Sequence, residues 1–89
     1  MPRYLIERTL DVAQTHVIKG EDNLRAIAAA NVRDQVTWIH SYISTDRRRM
    51  FCLYDASSPE AIRHASGAVG LPIDQITEVS VIDPYFSAP

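Results

Sequence analysis

Thiols are almost absent from this chain. Cys52 is the only cysteine among 89 residues, which excludes an intrachain disulfide framework and a paired-cysteine zinc or redox site. Glycine is scarce, at three residues, and no Gly-rich phosphate loop or nucleophile-elbow sequence occurs. Nucleotide chemistry and covalent catalysis therefore lack support. No apolar run approaches the roughly 18 residues of a membrane span, and no basic segment precedes an apolar one as in a secretory leader. An excess of one charge is missing too. Nine Lys and Arg against eleven Asp and Glu leave a net charge of −2, which exerts no long-range pull on nucleic acid. The expectation is a cytoplasmic protein with neither a nucleic-acid nor a membrane partner.

An apolar fraction of 46% with 22% charged residues is ordinary globular composition. One domain is expected over residues 1–89, with 83–89 as a tail. So short a chain buries only roughly 60–65% of its unfolded surface, and pairing with a second copy adds burial economically. His16, His40 and His64 are evenly spaced, but their neighbours share nothing, so no repeat is assigned.

The periodicity predicts strands near 3–8, 36–44, 49–55 and 76–82 and helices near 21–33 and 58–69. In the first helix Leu24, Ile27, Ala28 and Val32 form the expected apolar stripe, and Glu21, Asp22 and Arg33 suit the macrodipole. The polar stretch Ser44-Thr45-Asp46-Arg47-Arg48 joins two strands as a hairpin. Ser57-Ser58-Pro59-Glu60 reads as a capped helix start, and Gly70 as its stop. The order strand, helix, strand, strand, helix, strand is the ferredoxin-like α+β sandwich, βαββαβ. Its sheet is four-stranded and antiparallel, with two helices on one face.

Strict alternation assigns Tyr4, Ile6, Ile39, Ile43, Val79 and Val81 to the helix side. The open side then carries Leu5, Glu7, Trp38, His40, Tyr42, Glu78 and Ser80, with Cys52 and Tyr54 by register. A face bearing Trp38 is expected to be an interface or pocket, and packing between two copies explains Trp38 and Tyr42 as well as any function does. His40, Glu7, Glu78 and Cys52 include the ligand types of a borderline divalent metal such as nickel or zinc. Glu7 and Glu78 are equally open to ion pairing with Arg3, Arg8 or other arginines, and Cys52 to being a small buried hydrophobe. An acid–base reading makes His40 the proton acceptor, with Tyr42 or Tyr54 positioning a substrate oxygen. His16 and His64 read as surface residues. Arg49-Met50-Phe51-Cys52-Leu53-Tyr54 distantly echoes an RNA-recognition strand. The motif's glycine is missing, and so is its first-strand aromatic on the open side.

Three segments together resemble a family of small bacterial proteins long catalogued as a domain of unknown function and now described as nickel-binding. They are Tyr4-Leu5-Ile6-Glu7-Arg8-Thr9, Val36-Thr37-Trp38-Ile39-His40-Ser41-Tyr42, and the block from Phe51 through Tyr54-Asp55-Ala56 to Ser58-Pro59-Glu60-Ala61-Ile62, followed by Gly70-Leu71-Pro72. The resemblance spans residues 4–82. It implies a ferredoxin-like homodimer that takes up Ni²⁺, as in metal sequestration, without designating ligands. The alternative is a cofactor-independent oxygenase or isomerase of the dimeric α+β barrel type. A binding module without metal is a third reading.

Overall fold

Two apolar faces, one on the sheet and one shared by the helices, close on each other around Ile6, Cys52 and Ile62, which are sealed from solvent. The computed structural model describes residues 1–11 and 21–85. Its elements are β1 (Arg3–Thr9), α1 (Glu21–Arg33), β2 (Thr37–Ile43), β3 (Arg49–Asp55), α2 (Pro59–Ala68) and β4 (Gln75–Val79). The sheet order is β2-β3-β1-β4, with every pair antiparallel. This is the expected βαββαβ sandwich. Phe86, at the aromatic end of the expected tail, lies outside the described residues.

Local chemistry sets the helix ends. Ser58 accepts a hydrogen bond from the Ala61 amide at 3.3 Å, and Pro59 follows at the first helical position. Gly70, at φ 71°, lets Leu71 N–H turn back to the Ser66 carbonyl at 3.0 Å. That arrangement is a Schellman closure. α1 closes in the same way through Gln35 at φ 58°, with Val36 N–H donating to the Asn31 carbonyl at 2.8 Å. α1 is rotated from the expected stripe: Ile27, Ala30 and Asn31 are buried, whereas Val32 is 77% exposed.

Two departures in the sheet decide which side chains meet. In β2, Trp38 pairs with Tyr54 and His40 with Leu53, so two steps on β2 match one on β3 and Ile39 is the bulged residue. The bulge sends Trp38 to the helix side with Ser41 and Ile43, and leaves His40 and Tyr42 on the open side. In β4, Ile76 pairs with Ile6 and Glu78 with Tyr4. Glu78 therefore shares the helix-facing side, and Thr77 and Val79 take the open one, opposite to the alternation expected from the sequence.

Candidate functional site

The hairpin of β2 and β3 positions the exposed His40. Its ring meets Tyr42 edge-to-face, with centroids 5.1 Å apart. The hairpin turn is held by Asp46, which accepts from the Ser44 hydroxyl at 2.6 Å and the Arg48 amide at 3.0 Å. The first of these bonds, helped by the second, holds the Asp46 carboxyl below its ordinary value. Beside His40 on the open face lie half-buried Leu53 and Phe51, with Leu5 beyond. Glu7 faces the same side, but two strand spacings, about 10 Å, separate it laterally from His40. Its carboxylate lies 3.5 Å from Arg49, whose guanidinium covers the Phe51 ring. Arg3 grips Asp55 with two hydrogen bonds, at 2.9 and 3.2 Å, and this pairing lowers the Asp55 carboxyl.

The other expected site residues do not join His40. Cys52 alternates with Phe51 and Leu53 and lies in the core, 0% exposed. Glu78 is on the helix-facing side at an edge strand, for the register reason given above. The four expected metal ligands are thus divided between the two sides of the sheet. The expected acid–base set is divided as well, because Tyr54 is buried against the helices while His40 and Tyr42 look outward. Trp38 is half-buried on the helix side, its indole N–H donating to the Ser41 hydroxyl at 2.8 Å. No three of His, Cys, Asp and Glu come together among the described residues. His64 sits on the surface with its Nδ1 2.9 Å from Asp34. The Asp34 carboxyl is lowered chiefly by its bond to Arg33 and then by His64. His16 lies outside the described residues.

A polar cluster that sequence reasoning missed lies inside the helix–sheet layer. Arg8 is 0% exposed. Its Nη1 donates to the Pro72 carbonyl at 3.0 Å, and its Nη2 to the Ser66 hydroxyl at 3.1 Å and, more weakly, the Tyr54 hydroxyl at 3.4 Å. Among the described residues Arg8 Nε has no hydrogen-bond partner, Asn31 Nδ2 has none of good geometry, and no carboxylate pairs with Arg8. Burial pushes the Tyr54 phenol up, with Arg8 and Asn31 acting in the opposite sense. The available signal was the run Tyr4, Ile6, Arg8: period two puts Arg8 in step with two core residues. Between α1 and the sheet is a cavity of about 220 Å³ lined by Leu24, Ile27, Trp38, Ser41, Ile43, Arg47, Met50, Tyr54 and Leu71, and of the buried polar cluster only Tyr54 reaches its wall. The sheet separates it from His40.

A family model described as nickel responsive protein SCO4226-like matches residues 4–79. The crystal structure of SCO4226 from Streptomyces coelicolor A3(2) shares the fold, with a TM-score of 0.68 at 18% identity over 89% of this chain and 96% of that one. No curated protein matches the chain. No helix among the described residues is long and apolar enough to cross a membrane.

Proposed function

We infer that this chain, which belongs to the family of nickel-responsive SCO4226-like proteins, takes up and sequesters nickel or a similar divalent ion as a homodimer, with His40 as the imidazole donor. The observation that carries the reading is the family match from residue 4 to residue 79, which takes in His40 and all of the sheet but Arg3. Imidazole suits nickel, and an exposed ring on a strand is accessible to an ion without unfolding. The described residues of one chain do not by themselves fit the ion: at His40 they offer a single imidazole, whereas square-planar nickel takes four donors. The reading therefore requires donors from a second copy. The open sheet face suits that pairing, since Leu5, Phe51 and Leu53 supply apolar area, and Arg3, Asp55, Glu7 and Arg49 supply charges of both signs around it. The reading places the protein in the cytoplasm, where the buried Cys52 stays a thiol.

Calorimetric titration of the full chain with nickel, zinc and copper tests the inference. His40→Ala and His40→Gln are expected to lower nickel affinity about tenfold or more while leaving the fold intact, as loss of an exposed ligand does. Affinity should also fall on acidification, because ligation needs a neutral imidazole. Wild-type affinity in both variants removes His40 from the site. A strictly monomeric species at micromolar concentration in sedimentation equilibrium removes the dimer.

A further inference from the structure

We propose that the cavity between α1 and the β2–β3 hairpin binds a small amphiphilic anion, a medium-chain monocarboxylate, with its hydrocarbon tail inward and its carboxylate at Arg47. The walls are graded in depth. Ile27, Met50, Tyr54 and Leu71, each 8% exposed or less, form the floor, whereas Leu24 and Ile43, 40% and 38% exposed, stand at the mouth. The exposed Arg47 belongs to the same wall and is its one charged side chain among the described residues. The polar atoms deeper in are already engaged. The Trp38 indole donates to Ser41, and the Tyr54 hydroxyl meets Arg8. The floor therefore offers a ligand apolar surface, and the mouth offers it a positive charge.

The turn fixes the place of Arg47. Its amide donates to the Ser44 carbonyl at 2.9 Å, and the Ser44 hydroxyl is bonded to both Asp46 and the Arg49 amide. Arg47 itself lies in the left-handed region, at φ 61°. Glycine or asparagine is the usual residue for such a turn position. An arginine gains nothing from that backbone, and strain of this kind collects where a side chain has a use. A guanidinium has five donors in a planar fork that matches a carboxylate, so it can receive an anion beside any group it already engages. Size sets the tail. An apolar cavity of about 150 Å³ holds benzene. At about 220 Å³, this one takes a chain of roughly seven or eight carbons. An apolar recess with a single charged group at its entrance selects such a molecule over a bare inorganic anion or a polar metabolite.

The chain's single tryptophan lines the cavity, so its fluorescence reports occupancy. Sodium octanoate, 1-octanol, octylammonium chloride and sodium acetate, titrated into the full chain at matched ionic strength, separate the charge from the tail. The expected result is a saturable change with octanoate. Binding should be about three- to tenfold weaker with 1-octanol, as for a solvent-screened charge pair with hydrogen bonds, and weaker again with octylammonium. Acetate, which lacks the tail, should not saturate. Arg47→Gly removes the charge and relieves the left-handed strain, so the variant should fold at least as well as the wild type. It should bring octanoate down to the level of 1-octanol and leave 1-octanol unchanged. A linear response to octanoate overturns the proposal. So does octylammonium binding as tight as that of octanoate, or wild-type octanoate affinity in Arg47→Gly. His40→Ala should leave octanoate binding unchanged, because His40 is on the other side of the sheet. Failure of this site and failure of the nickel reading are therefore separable.

Discussion

Arginines in this protein are handled in opposite ways on the two sides of one strand. Arg3, on the open side of β1, holds Asp55 in a two-pronged pair. Arg8, on the closed side, is taken out of water among a carbonyl and two hydroxyls. Desolvating a charge without an ionic partner is costly, and only the hydrogen bonds offset it. The Arg3–Asp55 pair has a definite pH signature. The Asp55 carboxyl lies below its ordinary value of 3.8 in the folded protein. Its contribution is therefore present above the unfolded value and lost as pH falls through the folded one. Thermal melts of wild type and Asp55→Asn are expected to differ most at about pH 6 and to converge only once the pH has fallen below the lowered folded value. Both side chains are about a third exposed, so the gap is small, as for solvent-screened pairs. A gap that widens on acidification contradicts the assignment.

At the level of elements, chain reversals do the positioning. The two helices end in the same hydrogen-bonded closure, but only α2 places a glycine at the left-handed residue. α1 places Gln35 there, at φ 58°. A side chain in that region costs roughly 1–2 kcal/mol, whereas glycine pays back part of that in unfolded-chain entropy. Gln35→Gly should raise stability by about 0.5–1 kcal/mol, readable as a higher urea midpoint with an unchanged slope. A lower midpoint would show that the Gln35 side chain contributes more than its backbone strain removes. The bulge at Ile39 has the larger structural consequence, because a single extra residue moves Trp38 and His40 to opposite sides of the sheet.

For the molecule as a whole, the two sides of the sheet have separate tasks. The closed side buries the core and carries the cavity; the open side presents His40 with an apolar centre. Leu53 lies in the middle of that open side, between Leu5 on β1 and His40 on β2. If two copies pair there, Leu53→Glu places like charges against each other across the axis. The expected outcome is a monomer in sedimentation equilibrium with an unchanged far-UV circular dichroism spectrum and weakened nickel uptake. A Leu53→Glu protein that remains dimeric excludes this face as the contact.

The sequence by itself determined the order of the elements, the span of α1, the strand over residues 49–55, the serine cap at Ser58 and the stop at Gly70. Each of these follows from interactions within a few residues: a side chain capping its own helix, a glycine free to adopt positive φ, a turn rich in polar groups. It also singled out His40 as the strand histidine. Which side of the sheet each residue occupies was decided only by the tertiary structure. Period two states that neighbours alternate, but not which set faces the helices, and one bulge or a one-residue register change reverses the answer. That is why Trp38, Cys52, Tyr54 and Glu78 lie opposite to the side expected for them. Arg8 is the same case in its strongest form. The groups that make its burial tolerable, Ser66 and the Pro72 carbonyl, stand 58 and 64 residues away along the chain, and only the packing of α2 on β1 brings them to it.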